Sequence, residues 1–326
     1  MGRHVGDFPL KELQAYQPEL VNRPADFDIF WSEQKNRMTT IKPKVVMEWR
    51  DYSVPTVEVA DIVFESWDRT PLKGLFVKPK SVKECPVILS FHGYTGSRGL
   101  PIDYLKWAAL GVAVVTFDIR GQGDSPDFAQ YGNGSRIPGW MLNGIQNPEN
   151  YYYTNVYRDI LVQLSWIRSS DFPVMVTKFG LVGSSQGGGL ALSAAGLDNN
   201  VDFVVADFPF IAHFERALDI ALNGPCLEIV NYFKWNDPQY KTYDQVMQTL
   251  GYIDCAHFCD SISCPALLAI GLEDSVTPPS TVFAAYNHIH SSDKRIEVYP
   301  QFPHEIVPSH EEKKLEFVMS QLQKED

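Results

Sequence analysis

Gly183-Ser184-Ser185-Gln186-Gly187 sets a serine between small flanking residues, after the apolar run Phe179-Gly180-Leu181-Val182 and before the apolar stretch Gly188 to Ala195. Such flanks leave room for a sharp strand-to-helix turn that lifts the middle residue above a sheet, with the amides of the helix N-terminus aimed at it. Ser185 is therefore the candidate nucleophile, and Ser184 is structural. A Gly/Ser-rich helix start without chemistry has the same local pattern; the strand–turn–helix context is what favours a nucleophile. A serine hydroxyl attacks only when a base takes its proton, and in this arrangement an acid and then a histidine follow in chain order. His213, His257, His288, His290, His304 and His310 come after Ser185. Of these, His304 stands just past a late apolar run, Ile296 to Tyr299, on the turn Gln301-Phe302-Pro303-His304-Glu305. His288 and His290 end a helical stretch and His310 opens one, so these three read as surface residues. Asp274, after the run Ala266 to Gly271, is preferred as the acid because it lies one strand before His304; Asp207 is its rival. The acid would hold the imidazole tautomer and stabilise the imidazolium.

Two loops support this constellation. His92-Gly93-Tyr94 follows the run Val87 to Phe91, where a backbone amide can meet a developing oxyanion. The donors would be the N–H groups of Tyr94 and Gln186, with His92 shaping the loop. Asp118-Ile119-Arg120-Gly121-Gln122-Gly123-Asp124-Ser125 resembles the D-x-R-G-x-G-x-S turn of α/β-hydrolases, and Arg120 and Gln122 would brace the oxyanion loop. The acyl group should fit between Tyr94 and the turn Asp207-Phe208-Pro209-Phe210. Bulky Tyr94 and rigid Pro209 would close that pocket just beyond a methyl group. Cys255-x-His257-x-Cys259-x4-Cys264 spaces two thiols one helical turn apart, as a metal site might require. It has no second C-x-x-C pair and reads as small buried side chains. No metal and no cofactor are expected.

Elements to position these residues are legible around them. Short apolar runs end in glycine or polar turns at Val57 to Glu65, Leu72 to Val77, Val87 to Phe91, Val112 to Phe117, Phe179 to Gly183, Phe203 to Ala206, Ala266 to Gly271 and Ile296 to Tyr299. The first alternates in strand fashion, and the later ones suit parallel strands buried on both faces. Between them, Val156, Ile160, Leu164 and Ile167 fall on one helix face. Tyr104 to Leu110, Gly188 to Ala195, Val282 to Ile289 and Glu311 to Leu322 also read as helices. The alternation predicts one α/β domain over 1–326, a doubly wound, mostly parallel sheet of about eight strands. Residues 1–50 would lie on it as an N-terminal extension. Residues 123–151 and 211–254 interrupt the alternation and are expected as rim insertions near the ligand.

Composition bounds the partners. The 326 residues carry a net charge of −12, and no basic run gathers the scattered Lys and Arg, so nucleic acid and anionic membranes are poor partners. The segment Met1 to Asp7 lacks the apolar core of a secretory leader, and Gly6 stands where a myristoylation signal wants Ser or Thr. Five cysteines in a chain of this size read as reduced thiols in a cytoplasmic protein.

With these residues placed, the chain resembles the acetyl xylan esterase and cephalosporin C deacetylase family, the seventh carbohydrate esterase family. Arg120-Gly121-Gln122, Gly183-x-Ser185-Gln186-Gly187-Gly188 and His304-Glu305 carry the resemblance. His92-Gly93-Tyr94, Tyr151-Tyr152-Tyr153, Asp207-Phe208-Pro209-Phe210 and the stretch Pro278 to Asn287 extend it over nearly the whole chain. It implies the α/β-hydrolase fold, deacetylation of acetylated xylo-oligosaccharides and of cephalosporin C, and an intracellular homohexamer. The family triad falls on Ser185, Asp274 and His304. At Leu142-Asn143-Gly144 the family often has Arg where Asn143 stands, which bears on rim packing more than on chemistry. A serine peptidase of the same fold would need charged residues to hold a terminus, and no paired glutamate motif stands out. A non-catalytic binding protein would not need the complete nucleophile, acid and base.

Overall fold

In the computed structural model, which describes residues 6–132 and 137–324, the apolar runs become strands. Residues 133–136, inside the insertion expected at 123–151, lie outside the described residues. In chain order the strands are β1 (Lys44–Arg50), β2 (Val57–Glu65), β3 (Pro71–Pro79), β4 (Glu84–Phe91), β5 (Ala113–Phe117), β6 (Met175–Ser184), β7 (Phe203–Asp207), β8 (Ala266–Gly271) and β9 (Lys294–Tyr299). They form one sheet in the order β1-β2-β3-β5-β4-β6-β7-β8-β9. β1, β2 and β3 run antiparallel to their neighbours, and the six strands β4 to β9 are mutually parallel.

The sheet has nine strands rather than about eight. The additional strand, β1, lies in the stretch expected to be a weakly patterned extension, and it pairs with β2 from Lys44 against Glu65 to Arg50 against Val59. Its residues are half-buried or exposed throughout. Val45, Val46, Met47 and Trp49 are apolar, but they neither alternate cleanly nor form a long run, so this edge strand is defined by its pairing with β2 rather than by a pattern of its own. By contrast, every residue of β5, β7 and β8 is buried, as parallel strands covered on both faces must be.

The helices are α1 (Leu10–Ala15), α2 (Phe27–Thr39), α3 (Leu105–Ala109), α4 (Tyr152–Ile167), α5 (Gln186–Leu197), α6 (Phe214–Ile220), α7 (Cys226–Trp235), α8 (Tyr243–Ile253), α9 (Pro279–His288) and α10 (Pro308–Leu322). Strand periodicity divides the core between the two faces. Ile88, Val114, Phe203, Val205 and Leu267 pack with Trp107 of α3 and with Phe317 and Val318 of α10. Leu89, Val115, Val204, Ala206 and Leu268 point the other way, into a larger cluster with α2, α4, α5 and α9. Helices on both faces leave the carboxyl ends of the parallel strands open for loops, which is where ligands bind in such sheets.

All five cysteines are unpaired. Cys255 and Cys259 are buried, the Cys259 thiol donates to the Cys255 carbonyl at 3.2 Å, and His257 Nδ1 meets the Gly251 carbonyl at 2.7 Å. Among the described residues no group of three or more His, Cys, Asp or Glu side chains could hold a metal ion. No helix among them is long and apolar enough to cross a membrane.

Candidate active site

β6 ends at Ser184 and α5 begins at Gln186, so Ser185 alone makes the turn. Its φ of 56° and ψ of −121° are strained for a residue with a side chain. Two close approaches make the turn possible. A Cβ at Gly183 would lie 2.2 Å from the Gly187 carbonyl oxygen, and one at Gly187 would lie 2.1 Å from that of Phe91. Three backbone bonds pin the turn: Ser185 N–H donates to the Asp207 carbonyl at 2.9 Å, and the Ser185 carbonyl accepts from Phe210 N–H at 2.8 Å and from Gly189 N–H at 3.1 Å.

The strand ends bring three expected residues together. Ser185 Oγ is 2.9 Å from His304 Nε2, and His304 Nδ1 is 2.7 Å from Asp274 Oδ2. The carboxylate assigns the tautomer: Nδ1 carries the proton and donates, so Nε2 is the acceptor facing the hydroxyl. Asp274 is itself held. Its Oδ1 accepts from the backbone N–H groups of Val276 and Thr277 at 2.9 and 2.8 Å. Its Oδ2 accepts from the Thr277 hydroxyl at 2.8 Å, and that hydroxyl also lies 3.3 Å from His304 Nδ1. Phe208, itself at φ 33°, sets its ring edge-on to the His304 imidazole at 4.8 Å. Sequence reasoning missed Thr277, and it placed Phe208 only within the turn Asp207 to Phe210, not against the imidazole. An Asp followed by backbone donors two and three residues on is an Asx-type turn, so Asp274-x-x-Thr277 was a usable signal; nothing signalled the contact of Phe208 with His304.

Asp207, the rival acid, has other partners. His310 Nε2 is 2.9 Å from its Oδ1, and Lys314 Nζ and Ser184 Oγ donate to its Oδ2 at 2.7 and 3.2 Å. Burial alone would raise the Asp207 carboxyl; the Lys314 ammonium and the His310 ring more than offset this and hold it below the ordinary carboxylate value. His310 is thus no surface residue. It is 2% exposed, and its Nδ1 meets the Tyr299 hydroxyl at 3.0 Å. Opening a helix suggested exposure, but this helix start is packed under the end of β7.

The loop after β4 abuts Ser185: a Cβ at Gly93 would lie 3.8 Å from Ser185 Cβ. His92 shapes that loop, its Nδ1 donating to the Gly93 carbonyl at 2.7 Å and its Nε2 accepting from Ile119 N–H at 3.0 Å. Gln122 joins the loop to α5, since its Oε1 accepts from Thr95 N–H at 3.0 Å and its Nε2 donates to Gln186 Oε1 at 2.9 Å. Arg120 is fully buried and ringed by Asp159, Asp68 and Asp127 at 2.7 to 3.1 Å. The three tyrosines entering α4 reach two different loops and the start of α5. Tyr151 donates to the Met141 carbonyl, Tyr152 to the Arg120 carbonyl and Tyr153 to Gln186 Oε1. Near the departing Asn143, the loop closes through Tyr152 N–H donating to the Asn143 carbonyl at 2.9 Å. Pro209 is buried behind the first turn of α5, against Gly188. The Tyr94 ring stands edge-on to Trp140 at 5.1 Å and to Phe210 at 6.5 Å.

The acetyl xylan esterase (AXE1) family model matches residues 4–321. An acetyl xylan esterase from Paenibacillus sp. R4 is 40% identical, with a TM-score of 0.92 over 96% of this chain and 99% of that one. Acetyl xylan esterase 1 from Thermoanaerobacterium sp. JW/SL YS485 is 32% identical, with a TM-score of 0.89 over 97% and 99%. The acetyl esterase Axe7A of Xylanibacter ruminicola is 25% identical over 290 residues, 84% of this chain; the chain spans 63% of that protein's length.

Proposed function

The chain belongs to the acetyl xylan esterase family and has the α/β-hydrolase fold, and from that premise we propose that it removes O-acetyl groups from short acetylated xylo-oligosaccharides through an acyl-enzyme on Ser185. The same chemistry would serve the acetyl ester of cephalosporin C. One observation carries the reading most: a serine at a strained strand–helix turn, hydrogen-bonded to an imidazole whose other nitrogen is held by a buried carboxylate.

Ser185 Oγ attacks the acetyl carbonyl carbon while His304 Nε2 takes its proton. Asp274, fixed by three donors, keeps Nδ1 protonated and stabilises the imidazolium. The backbone N–H groups of Tyr94 and Gln186 receive the oxyanion; losing one such donor typically costs roughly 3 kcal/mol. His304 then protonates the leaving sugar oxygen. It next takes a proton from the water that attacks the acetyl-enzyme, and returns it to Ser185 Oγ as the acyl bond to that oxygen breaks and acetate leaves. Arg120 and Gln122 brace the loop carrying Tyr94. Tyr94 and Pro209 bound the acyl side, so acetyl esters should react faster than butyryl esters. The protein works in the cytoplasm as a homohexamer, which light scattering would register near six times 36.9 kDa.

The test is acetate release from acetylated xylo-oligosaccharides, cephalosporin C and p-nitrophenyl esters, for the wild type and Ser185→Ala. Turnover in the variant should fall by about a millionfold with folding intact. Undiminished activity in Ser185→Ala overturns the mechanism. A maximum at butyrate or longer would replace acetyl specificity with a general short-chain carboxylesterase.

A further inference from the structure

Glu228 lies on α7, 134 residues beyond Tyr94 in the chain, and its carboxylate closes a clip around the loop beside Ser185. Its Oε1 accepts from the Tyr94 hydroxyl at 2.7 Å, and its Oε2 accepts from Met141 N–H at 3.1 Å. The Tyr94 hydroxyl in turn accepts from Trp140 N–H at 3.0 Å. One carboxylate thus joins the oxyanion loop, the turn at Trp140–Leu142 and α7. The approach is close: a Cβ at Gly139, which has φ 135°, would lie 1.9 Å from Glu228 Oε2. Among the described residues no cation pairs with Glu228. Burial raises its carboxyl above the usual glutamate value, and the two donors recover only part of that. A half-buried carboxylate facing two neutral donors is an expensive way to cap one amide, and donors on two separate loops suggest a positional role.

We infer that Glu228 is a positioning residue that sets acyl-chain selectivity, by locking the Tyr94 ring against Trp140 and Phe210 beside Ser185. The inference rests on the esterase reading above. In that reading Tyr94 matters twice: its N–H receives the oxyanion, and its ring, edge-on to Trp140 and Phe210, bounds the acyl side. Phe210 is tied to the nucleophile by its own N–H on the Ser185 carbonyl. With the phenol anchored, the ring cannot swing to admit a longer acyl chain, and its amide stays in register. Both directions of the clip need an acceptor. A glutamine at 228 has one acceptor oxygen and would turn its NH2 toward the other donor.

The experiment uses the purified full chain carrying Glu228→Gln, Tyr94→Phe or both. It compares kcat and KM on p-nitrophenyl acetate, propionate and butyrate with the thermal midpoint. The acetate-to-butyrate ratio of kcat/KM should fall roughly tenfold or more in each single variant. The fall should come from a lower kcat on acetate and a lower KM on butyrate. The double variant should be no worse than the worse single one, because both act through the Tyr94–Glu228 contact. Midpoints should stay near the wild-type value. Ratios within twofold of wild type in both single variants overturn the inference, as does a loss that scales equally on all three esters. Absence of Ser185-dependent activity in the wild type would instead overturn the esterase reading.

Discussion

Two aspartate–histidine pairs flank the turn at Ser185, at the ends of neighbouring strands, and their first contacts are nearly the same. His304 to Asp274 is 2.7 Å and His310 to Asp207 is 2.9 Å. Each pair even has its own serine, Ser185 on His304 and Ser184 on Asp207. The difference lies in what else each imidazole and carboxylate meets. The His304 side chain is 21% exposed and its Nε2 faces a hydroxyl. The His310 side chain is 3% exposed, both its nitrogens are engaged, and a lysine ammonium shares its carboxylate. A carboxylate–imidazole pair is therefore not a base by virtue of the pair alone. It needs a free nitrogen with reach to the nucleophile and no competing cation on the acid.

The sharpest way to break that contrast is to neutralise each acid. Asp274→Asn should lower kcat by about ten thousandfold, since an amide can hold the wrong imidazole tautomer, while the fold survives. Asp207→Asn should leave kcat within about tenfold. Its contact with the turn runs through the backbone carbonyl, which accepts from Ser185 N–H and survives the change. The exchange of these two outcomes would make Asp207 the acid.

Asp207→Asn should act on stability instead. It strands the buried Lys314 ammonium with Glu311 as its remaining carboxylate. Removing one partner of a buried pair costs about 3–5 kcal/mol. The pH dependence has a definite sign. Burial would raise the Asp207 carboxyl, but Lys314 and His310 outweigh it and hold the group below the ordinary aspartate value of 3.8. Its contribution is present above that value and is lost as pH falls through the lower folded value. Urea midpoints should thus separate wild type from Asp207→Asn by a constant amount above about pH 4 and converge below it. A gap that widens toward low pH would contradict the assignment.

How much of this could be read from the chain depends on how local the signal is. The turn at Ser185 was legible because Gly183, Ser185 and Gly187 fall within one short stretch, and the buried strands β5, β7 and β8 because continuous apolar runs have few other uses. β1 was not, because Lys44 to Arg50 is an exposed edge whose order comes from pairing with β2. His310 was misread because Pro308-Ser309-His310 looks like any helix start, and nothing nearby announces Asp207, 103 residues earlier. Glu228 was invisible for the same reason. Its partners, Tyr94 and Met141, are 134 and 87 residues away.

Thr277→Val sharpens the contrast on the His304 side. The hydroxyl it removes donates to Asp274 Oδ2 at 2.8 Å, but two backbone donors remain on Oδ1. One hydrogen bond to a charged group at a site already held by others should cost about tenfold in kcat. KM on an acetyl ester should hardly move, since Thr277 touches the acid and not the substrate. A kcat equal to wild type would mean that the backbone donors alone orient Asp274.

The smallest effect should come from Ser184→Ala. Ser184 and Ser185 are neighbours in the chain, yet they serve different pairs. The Ser184 hydroxyl donates to Asp207 at 3.2 Å, while Lys314 and His310 already occupy that carboxylate. It is a long, surplus bond, and its loss should cost no more than about 1 kcal/mol of stability. It touches neither His304 nor the position of the oxyanion donors. Turnover should therefore stay within about threefold of wild type, against a millionfold for the residue beside it. Thermal midpoint and acetate release measured on the same preparation check both halves. A hundredfold loss in turnover with an unchanged midpoint would show that the sealed pair is coupled to the reaction through the turn. The two pairs would then be one machine rather than a working site and a structural brace.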